Sequence, residues 1–335
     1  MSLQQMLLGA GAGGTVTGQV TFEAGEGATN TVNTYNTTWT VPAGVTSISV
    51  LCIGRGGKGE VGYYGGAGGS LTWLNDIEVN PGDTYNIYVC GGYDTEDNFP
   101  NTPYQNDELW EVGSRFKGTN SNTSRSLDMV AYAADRHLQG LVGGASGQVS
   151  YNPNISGSVP YNTYHGGTGG LYASHTSWGT TTNYYGAGGG CAGYEGDGGN
   201  GGYGYVAGSA NGDNPETSSG GGAGGYSAWV NSSGNTSGQA TALMAGAGGG
   251  TGKFGKGSDG AKPAANSEGD AGQGGSGGYP TNNSTSTGVP SGGYGGGSAD
   301  YTTGHGSSNQ GGRGCVRIIW PGDSRQYPNT LTTDQ

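Results

Sequence analysis

Glycine falls at every third position through two long stretches of this chain. Gly56, Gly59, Gly62, Gly65 and Gly68 keep the period through GGKGEVGYYGGAGGS, and Gly190, Gly193, Gly196, Gly199 and Gly202 keep it through GCAGYEGDGGNGGYG. Shorter runs follow at Gly246 to Gly255 and at Gly269 to Gly278. A period of three is neither the 3.6 of an α-helix nor the 2.0 of a strand. It is the period of a polyproline-II-type helix, which rises about 3.1 Å per residue and has no internal hydrogen bonds. Such a backbone must find its hydrogen-bond partners on neighbouring segments. The feature therefore predicts a bundle of laterally bonded glycine rods.

Two other classes compete. With 78 glycines in 335 residues, the entropy of ordering the chain is unusually large, and Gly/Ser/Asn-rich chains are often flexible linkers. A linker would not carry Tyr63, Tyr64, Tyr194, Tyr203, Tyr205, Tyr226 and Tyr294 in its glycine runs, nor alternate with strand-like segments. Collagen needs abundant proline and an unbroken triplet, whereas this chain has 12 prolines and interrupted runs.

Strand signals frame the glycine runs. Gln19 to Glu23, Tyr35 to Val41, Ser47 to Ile53, Leu71 to Val79 and Thr84 to Cys90 alternate apolar and polar residues between turn sequences, and Cys315 to Trp320 repeats the pattern near the far end. These predict an all-β fold: a β-sandwich over 14–95, closed by the strand within 312–320. The predicted plan places a polar, aromatic-rich insert at 96–185 and a polyglycine-II bundle at 186–311. An N-terminal docking peptide (1–13) with Met6, Leu7 and Leu8, and an extended C-terminal tail (321–335) with Tyr327, are the docking candidates. One helix is expected, over Ser126 to Leu141, from the spacing of Met129, Tyr132 and Ala133. The tyrosines of the glycine runs are expected on the faces and ends of the bundle.

Charge and chemistry exclude several functions. A net charge of −12, with only 12 Lys and Arg, argues against nucleic acid and anionic membranes. No segment approaches the apolar length that spans a bilayer, and the start lacks a secretory pattern, so synthesis and assembly in the cytoplasm are expected. Cys52, Cys90, Cys191 and Cys315 form no CxxC or zinc spacing. They read as small buried hydrophobes, with Cys52–Cys90 and Cys90–Cys315 bridges as open alternatives. GGTGK at 249–253 lacks P-loop spacing, and GGNGGYGYV at 198–206 lacks the aspartate of a calcium repeat. Acidic loops at Asp197 or Asp213 are the weaker calcium candidates. The scattered histidines and the acidic residues Asp94 to Glu111 form no catalytic pattern. No enzyme activity, cofactor or metal is expected.

Exposed aromatics are the better lead. Tyr161, Tyr164, His165, Tyr172, His175, Trp178, Tyr184 and Tyr185 crowd a polar stretch. Aromatic faces beside Asn, Ser and Thr suit sugars or a protein epitope. Tyr161, Tyr164, Tyr172, Trp178, Tyr184 and Tyr185 are the receptor-binding candidates, and packing on the flat glycine slab is the alternative for the same residues.

TVPAGVTSISVLCIGRGGKG at Thr40 to Gly59 resembles the opening of glycine-rich domains in tailed-bacteriophage virion proteins. GGRGCVRIIWPGDSRQYPNT at Gly311 to Thr330, and MSLQQMLLGAGAGG at the start, resemble glycine-rich structural proteins of large myophages, cyanophages in particular. Related adhesins at tail-fibre tips are sandwiches of polyglycine-II helices whose distal loops carry host specificity. The resemblance covers roughly 1–95 and 186–330. It implies a virion structural protein, homo-oligomeric with a trimer among the candidates, bound to other virion proteins and contacting a host-surface glycan or protein as a tail-fibre or tail-tip adhesin. A capsid, neck or head-fibre decoration protein and a tail-borne depolymerase are the alternatives.

Overall fold

The computed structural model describes residues 16–23, 35–57, 65–90, 113–134, 148–151, 161–169, 173–177, 180–184, 188–201, 250–252, 255–256, 294–297 and 311–329. The strands are β1 (Gly18–Glu23), β2 (Tyr35–Thr40), β3 (Ser47–Ile53), β4 (Leu71–Glu78), β5 (Thr84–Val89), β6 (Gly113–Thr119), β7 (Ser126–Tyr132), β8 (Gln148–Tyr151), β9 (Tyr161–Tyr164), β10 (Ala173–Ser177), β11 (Thr180–Tyr184), β12 (Thr251–Gly252), β13 (Gly255–Lys256) and β14 (Cys315–Trp320).

Two five-stranded antiparallel sheets pack as a sandwich. The first has the order β1-β14-β3-β4-β9 and the second β2-β5-β6-β7-β8. The C-terminal strand β14 closes the first sheet, pairing Cys315 with Ile53 and Ile318 with Val50 on one side, and Val20 with Ile318 on the other. Between the sheets, Val20, Phe22, Ile48, Val50, Leu74, Ile77, Val316 and Ile318 meet Trp39, Tyr85, Ile87, Val89, Phe116, Leu127 and Met129 in one apolar core. Tyr85 stacks on Phe116 at 4.7 Å between centroids.

No helix occurs among the described residues, which corrects the expectation for Ser126 to Leu141. Ser126–Tyr132 is β7, paired along its length with β6. The deciding period is two: Leu127, Met129 and Ala131 enter the core together, and that burial outweighs a sparse helical spacing over one turn. Residues 135–141 lie outside the described residues. Residues 113–164, read by composition as part of a polar insert, supply β6 to β9 to the two sheets.

The first sheet is buried on both faces. Leu51, Ile53, Leu71, Trp73, Cys315 and Ile319 point away from the sandwich core into a second cluster with Cys191, Ala192, Tyr194, Tyr294 and Tyr327. The glycine segments and residues 321–329 thus form a third layer. Tyr194 and Tyr294 lie inside it, 3% and 2% exposed, which corrects their expected place on the outer faces. A slab of glycines offers no side chains of its own, so the tyrosines supply the apolar area that holds it to the sheet. Tyr327 is likewise buried, 2% exposed, against its own chain and not on an extended tail.

Candidate functional site

Residues 65–70 lie at the centre of the glycine layer. Gly57 N donates to Ala67 O at 2.7 Å, Gly68 N to Gly167 O at 2.8 Å and Gly69 N to Gly295 O at 2.7 Å. Ser70 N donates to Tyr132 O at 3.0 Å, and Gly189 N to Gly66 O at 2.8 Å. A strand in a sheet is bonded on two sides; this segment is bonded to five others. Further out, Gly167 N donates to Gly190 O and Gly190 N to Gly199 O, both at 2.8 Å, while Gly56 N reaches Gly312 O at 2.8 Å.

The approach that makes these bonds leaves no room for side chains. A Cβ on Gly68 would lie 1.8 Å from Gly190 O, and one on Gly56 would lie 2.0 Å from Gly296 O. Of the framework glycines expected from the triplet period, Gly56, Gly68, Gly190 and Gly199 bond other segments; Gly193 N donates to Gly196 O across a local bend, and Gly59, Gly62 and Gly202 lie outside the described residues.

Side chains pin the layer to the first sheet. Trp73 Nε1 donates to Tyr194 O at 3.0 Å and Tyr194 Oη to Gly252 O at 3.0 Å. Thr251 Oγ1 donates to Ala192 O at 2.7 Å. Burial pushes the Tyr194 phenol well above its ordinary range. The Cys191 thiol is pushed up to about 12 by burial, with Thr251 opposing. All four cysteines are free, buried thiols, so neither bridge left open by the sequence is present.

The receptor candidates fall in different places. Tyr161 and Tyr164 are the ends of β9, the edge strand of the first sheet, and Tyr164 packs against the second apolar cluster. Tyr184 is the last residue of β11, in a two-stranded ribbon with β10 that belongs to neither sheet. Tyr172, Trp178 and Tyr185 lie outside the described residues, as do Met6, Leu7 and Leu8. Asp197, considered for calcium, accepts a hydrogen bond from His165 N at 2.7 Å. Asn200 Oδ1 accepts from both Thr168 N and Thr168 Oγ1 at 2.8 Å. Among the described residues no His/Cys/Asp/Glu group has the geometry of a metal site. No described helix is long and apolar enough to cross a membrane.

Sequence reading missed the polar clasps. Just beyond the ends of β4 and β6, Asn80 Nδ2 donates to Asn120 Oδ1 at 2.9 Å, and Asn120 Nδ2 donates to Glu78 O at 3.0 Å. Ser121 N donates to Asp83 at 3.0 Å. Desolvation opposes ionisation of Asp83, yet bonds from Ser121 and Asn80 prevail and hold its carboxyl below the usual range. On the outer face of the second sheet, Arg115 makes a bidentate pair with Asp128, with Nε at 2.5 Å, and Lys117 Nζ lies 3.3 Å from the same carboxylate. The bonds to Asp128 outweigh desolvation and raise the Arg115 guanidinium above its ordinary value. No protein-family model matches the chain, and no curated protein is significantly similar to it.

Proposed function

We propose that this chain is a structural protein of a tailed-bacteriophage virion, a tail-fibre or tail-tip component that contacts the host surface. The observation that carries this reading is a pairing. The two stretches that resemble phage glycine-rich proteins, Thr40 to Gly59 and Gly311 to Thr330, lie side by side as β3 and β14 in register. They continue together into the glycine layer through Gly56 N and Gly312 O. They form one structural unit, as expected if they are inherited as one.

In this reading the glycine layer is a polyglycine-II bundle. The triplet period of the sequence and the bonding of residues 65–70 on more than two sides both support it. Its role is mechanical: a stiff platform, non-enzymatic and free of cofactors, that holds binding segments at fixed positions. The chain acts as a homo-oligomer within the assembled particle, alongside other virion proteins, and meets a host glycan or protein.

Competition of phage adsorption by purified protein tests the reading. Dose-dependent loss of adsorption is expected. A folded preparation that leaves adsorption untouched while binding stoichiometrically to capsids would move the protein to a decorating role. Release of soluble sugar from host polysaccharide would make it a depolymerase.

A further inference from the structure

The outer faces of the two sheets differ. The glycine layer and residues 321–329 cover the first, over a buried apolar cluster. On the second, the outward positions Asn36, Thr38, Asn86 and Lys117 are all exposed. Register sets these side chains beside one another. Tyr88 lies opposite Asn36 on β2 and Arg115 on β6, while Asn86 lies opposite Thr38 and Lys117. Lys117 lies opposite Asp128 on β7.

A fixed charge sits at the centre of this face. Both carboxylate oxygens of Asp128 hold Arg115, which is only 8% exposed. Tyr88 stands directly across from Arg115 and Tyr132 diagonally, each partly exposed. Both phenols are near enough to act on its charge. Lys117 Nζ lies 3.3 Å from a carboxylate oxygen that Arg115 already holds, and half of its side chain is exposed. Its ammonium therefore keeps donors for a further anion. The strands of this face carry two cations, Arg115 and Lys117, against one anion, Asp128, in a chain of net −12. A second copy would meet the same positive surplus, and none of the described exposed residues here is an apolar anchor to offset it. A nucleic acid needs more cations than two. A glycan fits: tyrosine rings take the apolar face of a sugar, and amides and hydroxyls bond its hydroxyl groups. The surplus cation meets an acidic substituent.

We propose that the outer face of the second sheet binds a glycan bearing carboxylate or phosphate groups. Tyr88 and Tyr132 supply the stacking rings, Lys117 the contact to the anionic group and Asn86 a partner for sugar hydroxyls. The proposal rests on the host-contact reading above and names its ligand class. It places that contact on the sandwich, away from the aromatic stretch at 161–185.

Calorimetric titration of the full chain with three oligosaccharides tests it: hexagalacturonate for carboxylate, a phosphomannan oligosaccharide for phosphate, and neutral maltohexaose. Saturable binding of an acidic sugar is expected, tighter than that of the neutral one, and the tighter acid identifies the anionic group. Lys117→Gln should weaken the acidic sugar roughly tenfold, the worth of one charged hydrogen bond, and leave the neutral sugar and the Tm unchanged. Tyr88→Ala should weaken every sugar that binds. Tyr88→Phe, which keeps the ring, should bind as the natural protein does and so separates lost stacking from lost folding. No binding at millimolar sugar, equal affinity for acidic and neutral sugars, or natural affinity in Lys117→Gln or Tyr88→Ala overturns the proposal. Glycan binding without competition of phage adsorption leaves this site standing and sinks the host-contact reading. Competition of adsorption without glycan binding does the reverse.

Discussion

Asn75 and Tyr327, 252 residues apart, exchange two hydrogen bonds: Asn75 Nδ2 donates to Tyr327 O at 2.6 Å, and Tyr327 N donates to Asn75 Oδ1 at 2.9 Å. The amide, on β4, thereby satisfies the backbone of Tyr327 and draws 321–329 across the outer face of the first sheet. Gly322 reinforces the strap, donating from N to Ser47 Oγ at 2.9 Å and accepting from Ser49 Oγ at 3.3 Å.

Asn75→Ala should therefore destabilise the fold by about 2–4 kcal/mol, since each stranded buried polar group costs roughly 1–3 kcal/mol. Urea unfolding would measure it. Limited proteolysis should cut the variant first within 321–329. A loss under about 0.5 kcal/mol would mean that the strap is held by its tyrosine alone.

Gly68→Ala and Gly82→Ala separate two roles of glycine. At Gly68 the added methyl would meet Gly190 O at 1.8 Å, a backbone atom that cannot rotate away. The layer must open, and an exceptional loss of more than about 4 kcal/mol is expected. At Gly82 nothing lies within 4 Å, but φ is +88°, so only the left-handed backbone penalty of about 1–2 kcal/mol applies. Equal losses at the two sites would contradict close packing of the layer.

Asp128→Asn should cost about 1–3 kcal/mol, because it removes the charged acceptor of a largely buried guanidinium. Lys117→Ala should cost less than about 0.5 kcal/mol, as its side chain is 50% exposed and exposed pairs contribute little. Chemical denaturation of both variants beside the parent gives the comparison.

Burial raises the pKa of Cys52, Cys90 and Cys191 above the ordinary 9.0. Burial also raises Tyr85 to about 12 from 10.0. The folded state thus holds protons that the unfolded chain releases. Stability from these groups is complete below about pH 9 and falls as pH rises toward 12, by at most about 1.4 kcal/mol per group per pH unit. A Tm series from pH 8 to 11 should slope downward. Native thiols should resist alkylation at pH 8 and react on unfolding; rapid labelling of the folded protein would contradict their burial.

Much of the sandwich was legible because burial on one face writes a period of two into the sequence. β3 and β14 match their expected spans, and β1, β2, β4 and β5 differ by one residue at an end. GSRFKGT of β6 was not legible: among its residues only Phe116 is a large apolar core side chain. β7 misled because a seven-residue alternation also fits one helical turn. Of the candidate site, the triplet glycines were visible as a framework, but the separation of Tyr164 from Tyr184 was not. Aromatic crowding along the chain carries no information about which sheet, or none, each residue joins.

By itself the sequence determined the strand segments and the need for glycine wherever backbones touch, because period and side-chain size are local properties. Tertiary structure alone decided which segments touch. The five partners of residues 65–70, the burial of Tyr194, Tyr294 and Tyr327, and the amide of Asn75 that holds the strap all depend on residues far away in the chain. Hydrogen bonds between backbones are blind to residue identity, so a glycine segment does not name its neighbours; the two sheets do so by fixing where the segments that leave β3 and enter β4 begin and end.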